Sequence, residues 1–294
     1  MKPDGGDIMT KPKVPPHVRL DSALRKYALV VGTQSQQHIK PLHQHIATRL
    51  VIEGGFSPSE VTPHPPLAIE RRGKRKLLVF KQSAQGTTEQ TILGGLRTKA
   101  VDVVVTKPNI GPVIAISVKG TSGAFRNLTN RMEEAIGDST NLHIMYPGLV
   151  YGFLHVLKGH RAGKPGLEAN DFAITADGEI VQSIRRYHDV MLGLAGRRLV
   201  RDDYTRYEAV ALALVESTSE LAGKLVDGFP ASGSPLGIMQ FFDSVYRIYD
   251  LRFPYVAASV HGLKREVWDA DSPAFATDLG YEPRIGIDEG DRSE

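Results

Sequence analysis

The 294-residue chain contains no cysteine. That excludes disulfides, thiolate zinc sites and a cysteine nucleophile, so any metal must be held by oxygen or imidazole ligands. Long hydrophobic runs are missing too. No segment approaches the ~20 apolar residues that span a bilayer, and the Pro- and Gly-rich opening MKPDGGDIMTKPKVPP does not read as a signal peptide. A cytoplasmic location, away from any membrane, is the expectation. The chain has no Walker loop, no G-x-G-x-x-G and no H-E-x-x-H. His38, His43 and His45 crowd one stretch. Helical geometry, however, turns His43 and His45 apart and sets His38 and His45 ~10 Å apart along the axis, which argues against zinc.

What is present is ordinary for a globular chain, 41% hydrophobic and 23% charged. Net charge is +3, with an isoelectric point near 8.9. Positive charge gathers at Arg71-Arg72-Gly73-Lys74-Arg75-Lys76, Arg185-Arg186 and Arg197-Arg198, whereas the tail DEGDRSE is acidic. Such clusters either neutralise phosphates or form a solvated face.

Helical patterns cover Leu20 to Val31 and Pro41 to about Glu53, the second stopped by Gly54-Gly55. KLLVF (76–80) reads as a strand, and Thr87 or Thr88 as the cap of a short helix ending near Gly94-Gly95. AVDVVVT and VIAISVK, joined by KPNIGP, read as a hairpin. A helix over Asn127 to Ile136 follows, then strands at Leu142–Tyr146 and Val150–Leu157 and a strand pair around Gly178. A long helix is expected from Asp203 to about Val226, and another after Ser234-Pro235. This order gives an α/β fold: an arm (1–18), a core of mixed strands with N-terminal helices (19–182), a mainly helical lobe (183–282) and an acidic tail (283–294).

Phosphodiester hydrolysis needs hard oxygen ligands, an activated water and a positive group near the transition state. Asp102 lies on the first hairpin strand and Lys119 at the end of its partner, so antiparallel pairing can bring them together. Ser117 shares the Lys119 face by the period of two. On the following helix, Leu128, Met132, Ala135 and Ile136 form an apolar arc. Glu133 sits at its edge, leaning toward the sheet, and Glu134 points to solvent. Glu53 falls within the arc of Ile39, Leu42, Ile46 and Leu50, where it either ends the helix or reaches a polar site; Glu89 is a weaker rival. The structural alternative has Asp102 pairing at a strand end, Lys119 snorkelling and Glu133 bonded to a neighbour.

Ser117-Val118-Lys119, thirteen residues and then Glu133 resemble the PD-(D/E)xK nucleases. The likeness is to the type II restriction endonucleases that cut CCGG-containing sites and carry a displaced catalytic glutamate. Thr121, Arg126 and Arg131 fall where that branch carries Thr, Arg and Arg, and the resemblance covers roughly 95–157. Gly123 and Phe125 stand where the branch carries the Arg and Asp that read G·C pairs. The resemblance implies a restriction-endonuclease-like mixed sheet flanked by helices. It implies Mg2+ bound by Asp102, Glu133 and the Val118 carbonyl, with an acid from an early helix, for which Glu53 is the candidate. Lys119 would orient the attacking water or stabilise charge at phosphorus. Double-stranded DNA is the implied substrate, a homodimer or homotetramer the implied assembly, and a cognate DNA methyltransferase the implied companion. Arg126 is then the foremost base-reading candidate. Arg131, Asn127 and Asn130 stand beside it, and Arg185 and Arg186 are phosphate contacts. Asn127 also suits a helix cap, Arg131 a local pairing with Glu134, and the FFDSVYRIY helix a core or dimer interface.

Overall fold

Two apolar runs meet at Asn109 and Gly111, both with positive φ, to form the hairpin at the centre of the sheet. The computed structural model describes residues 17–30, 36–123, 125–253 and 261–286; the side chains of Gln36, Arg126 and His261 lie outside that description. Most of the expected arm and acidic tail therefore falls outside it.

In chain order the helices are α1 (Leu20–Leu29), α2 (Lys40–Ile52), α3 (Leu128–Met145), α4 (Gln182–Leu194) and α5 (Ile238–Arg252). The strands are β1 (Val61–Thr62), β2 (Leu67–Arg72), β3 (Arg75–Phe80), β4 (Gln90–Ile92), β5 (Lys99–Val101), β6 (Val103–Lys107), β7 (Gly111–Thr121), β8 (Val150–Gly159) and β9 (Ala209–Glu216). The main sheet runs β1-β6-β7-β8-β9. Its first two pairings are antiparallel and its last two parallel. Alternate residues of β7 face opposite layers. Ile114, Ile116 and Val118 pack with α1, α2 and α5, and Ala115 packs with residues of α3 and α4. The architecture is thus mixed α/β, with helices on both faces of a five-stranded sheet. No helix among the described residues is long and apolar enough to cross a membrane.

Three sequence expectations give way. The segment 203–226 is not a helix: AVALALVE forms β9, buried at every position. A parallel strand covered on both faces is apolar without alternation, and its Ala and Leu content mimics a helix. The separate helical lobe over 183–282 goes with it, because β9 completes the main sheet and α4 and α5 cover its two faces. Second, α3 continues to Met145 through the stretch expected to be a strand at Leu142–Tyr146. Its buried polar residues hold it there: Asn141 accepts from the Leu96 and Arg97 amides (2.8 and 3.1 Å) and donates to the Arg97 carbonyl (2.9 Å). Third, Gln90–Ile92, expected to be helical, is a strand paired with β5, and the pair expected around Gly178 is reduced to a single Ile174–Ile180 bridge.

The outer edge of β9 is covered. Its Leu212 and Glu216 amides donate to the Leu236 and Lys224 carbonyls (3.0 and 2.9 Å), and its Leu214 carbonyl accepts from the Val226 amide (2.8 Å).

Candidate metal centre

Asp102 occupies the bend where the chain leaves one sheet for another, since β5 pairs with β4 and β6 pairs with β7. Its Oδ2 accepts the Val118 amide of β7 at 2.7 Å, which fixes the carboxylate and leaves Oδ1 facing outward from that bond. The β4–β5 register sets Gln90 opposite Val101, so Glu89 arrives beside Asp102. From the other layer, the first turn of α2 brings His43 Nε2 to 3.7 Å from Asp102 Oδ1. One donor atom from each of His43, Glu89 and Asp102 lies within 4.8 Å of the others. Glu89, Arg97, Lys99, Asp102, Ser117 and Lys119 line an adjoining cleft of about 320 Å³.

Electrostatics suits a cation here. Burial raises the Asp102 pKa, opposed by the Val118 amide and by the charges of Lys119 and Lys99. Burial lowers His43 to about 4 against the pull of Glu89, so the ring is neutral at pH 7. Its Nε2 is buried without a hydrogen-bond partner. A neutral imidazole with a free ring nitrogen, next to two carboxylates, fits a divalent cation.

The predicted residues divide. Asp102, Lys119 and Ser117 do share the cleft. Ser117, however, is 2% exposed and bonded to the Tyr151 hydroxyl at 2.8 Å, which accounts for it structurally. Val118 is seen to contribute its amide. Glu133 is exposed, and it is Glu134 that turns toward the sheet, 3.2 Å from Lys119 Nζ and 3.3 Å from Arg131. The reversal has a geometric cause. The buried face of α3 is Met132, Ala135, Asp138, Ser139 and Leu142, while Ile136 is exposed. At ~100° per residue this places Glu133 roughly opposite the centre of that face and Glu134 near its edge. A helix ending at Ile136 has a different apparent face. Of the two readings of Glu53, the structure takes the helix end and not the metal site. Glu53 caps the far end of α2, ~15 Å of helix from His43, accepts a two-pronged bond from Arg49 (2.6 and 2.8 Å) and receives the Tyr246 hydroxyl at 2.8 Å.

Among the nucleic-acid candidates, Asn127, Asn130, Arg131, Arg185 and Arg186 are all exposed. Asn127 makes no side-chain cap bond, and Arg185 contacts Glu179 at 3.4 Å. The Arg126 side chain lies outside the described residues. Arg197, in a basic pair read as either phosphate-neutralising or solvated, is 1% exposed and bound to Glu208, so it belongs to the interior. In the basic run at 71–76, Arg75 pairs with Asp269 and Asp271, and Lys76 with Glu266.

Sequence reasoning set His43 aside and ranked Glu89 low. α2 is buried on nearly every side, eleven of its thirteen residues, so an apolar arc cannot say which polar residue faces the site. For Glu89 the signal was the threonine-rich lead-in to β4, which resembles a helix cap as well as a strand start. Comparison with protein-family models, with curated proteins and with solved structures gave no match.

Proposed function

We propose that this protein is a divalent-metal-dependent endonuclease for double-stranded DNA, acting as a type II restriction enzyme on a restriction-endonuclease-like core. The observation that carries the reading is the convergence of Asp102, Glu89, His43 and Lys119 where β6 begins and β7 ends. An aspartate at the head of one strand of an antiparallel pair, a lysine near the end of the next and a helix beyond it match the nuclease pattern that the sequence resembles.

Asp102, Glu89 and His43 would hold the cation, Mg2+ on the family resemblance. Bound there, it would supply Lewis-acid stabilisation of charge at the phosphate and of a deprotonated attacking water. Asp102 is held ready by the Val118 amide. Lys119 supplies positive charge beside the phosphate. Its pairing with Glu134 is between side chains 32% and 37% exposed, so it stabilises by at most ~1 kcal/mol and a phosphate can displace it. Water adds to phosphorus and the 3′ oxygen leaves with a proton, giving 5′-phosphate and 3′-hydroxyl ends. The exposed Asn127, Asn130 and Arg131 at the start of α3 face DNA, with Arg126 next to them in sequence, and Arg185 and Arg186 on α4 contact phosphates.

Digestion of unmethylated phage and plasmid DNA, with Mg2+ or Mn2+ and with EDTA, tests the proposal. Discrete fragments are expected from the parent, and none from Asp102→Asn or Lys119→Met. Intact DNA with either ion refutes it. A palindromic target calls for a homodimer or homotetramer, which light scattering with and without DNA would register. Host protection calls for a cognate methyltransferase of the same specificity.

A further inference from the structure

We propose that His43 is a direct ligand through Nε2 and that the His43–Glu89–Asp102 set takes a first-row transition cation of the Mn2+ class in preference to Mg2+. This rests on the metal-centre reading above and puts an ion chosen by the donors present in place of the Mg2+ that the family resemblance implies.

The first support is the unmet Nε2. It is buried, has no hydrogen-bond partner and lies 3.7 Å from Asp102 Oδ1, too far for a hydrogen bond. Two donors about 2.1 Å from one ion stand roughly 3.0 Å apart at right angles and 4.2 Å apart when opposite, so the observed gap is the size that a shared cation fills. Other buried histidines in the molecule also leave a ring nitrogen unpaired, among them His45 and His155. Their other nitrogens have uncharged partners, the Val18 carbonyl (3.1 Å) and the Thr121 hydroxyl (3.0 Å). Among the described residues, His43 alone joins two carboxylates in a group compact enough for an ion.

The second support is donor chemistry. Mg2+ takes oxygen ligands, keeps several waters and dehydrates reluctantly. First-row transition ions accept imidazole readily, and Mn2+ combines this with a tolerance for carboxylates. With no cysteine in the chain, softer thiolate competition is absent. An imidazole fixed on α2, inside the layer that packs under the sheet, is therefore a selectivity element. It weakens the match to Mg2+ and strengthens it to Mn2+.

The test uses the full chain freed of metal. Mn2+ titration is followed by the electron paramagnetic resonance signal of the free ion, with Mg2+ as competitor. Mn2+ should bind at least about tenfold more tightly than Mg2+, and His43→Asn should remove that margin by weakening Mn2+ while moving Mg2+ less than about twofold. Because a buried substitution can disturb folding, the Mn2+-loaded parent is also probed by electron spin echo modulation, where coupling to an imidazole 14N nucleus is expected. Equal affinities for the two ions, or bound Mn2+ without nitrogen coupling, overturn the proposal while leaving the nuclease reading intact. Failure to bind either ion overturns it together with the metal-centre reading. Nitrogen-coupled Mn2+ in a protein that cuts no DNA upholds it and removes the nuclease reading alone.

Discussion

Glu208 offers a sharp test of how the sheet behind the centre is held. Its side chain has no exposure and receives Arg252 Nη1 at 2.7 Å, Arg197 Nη1 and the Tyr151 amide at 2.7 Å, with His143 Nε2 at 3.2 Å. Burial alone would raise its pKa, but His143, Arg252 and the Tyr151 amide outweigh burial and hold it below the usual carboxylate value. Glu208→Gln keeps the shape, so no cavity contributes. It leaves two buried guanidinium groups without a counter-charge and turns an amide donor toward one of them. Removing one partner of a buried pair costs about 3–5 kcal/mol. Retained amide hydrogen bonding puts the expectation near the lower end, about 3 kcal/mol, or roughly 5 °C in Tm for a chain of this size. Urea denaturation with a fitted m-value measures it. Glu134→Gln serves as the contrast, because its partners Lys119 and Arg131 are partly exposed and exposed, and its loss should stay below about 1 kcal/mol. A Glu208→Gln loss under about 1 kcal/mol would refute the reasoning and mean that water or backbone dipoles already screen this cluster.

Glu89→Gln should lower DNA cleavage at least about 100-fold, whereas Glu133→Ala should stay within about twofold; a larger effect of Glu133→Ala in initial-rate assays would restore the sequence-based assignment. Stability should fall with acid. His45 and His155 are 2% and 0% exposed, and burial lowers them to about 4 and about 3. Their folded values lie below the unfolded value, so the unfolded chain binds more protons below pH ~6.5. Stability is then lost progressively as pH falls toward the folded values, roughly 2 kcal/mol per ring by pH 5; equal urea midpoints at pH 7.5 and pH 5 would contradict this. Gly137 lies within α3, and an alanine methyl there would have nothing within 4 Å. Gly137→Ala should therefore stabilise by about 0.5–1 kcal/mol with activity unchanged, read by thermal unfolding.

The central hairpin was legible because β6 and β7 are β-branched runs joined by a turn whose Asn109 and Gly111 suit positive φ. Asp102 and Lys119 followed from that pairing. What escaped the sequence depends on burial by distant segments. AVALALVE has no period because both its faces are covered, so nothing local separates strand from helix. The phase of α3 escaped for a related reason. Asp138, Ser139 and Asn141 are polar yet buried, through bonds to Lys99, the Arg206 carbonyl and the 96–97 backbone, and hydropathy assigns them to the wrong side. His43 and Glu89 come from two segments whose meeting requires the β4–β5 pairing, which no spacing in the chain announces.

The covered edge of β9 bears on how copies of the chain can meet. An open parallel edge offers spaced amides and carbonyls to any extended strand, including the same strand of a neighbour. Here the segment from Lys224 to Leu236 already occupies Leu212, Leu214 and Glu216. A continuous sheet across two copies through β9 is thereby closed off. On the function proposed above, a two-fold assembly would have to use another surface, and the angle between its two metal centres would be set there rather than by pairing β9 with β9.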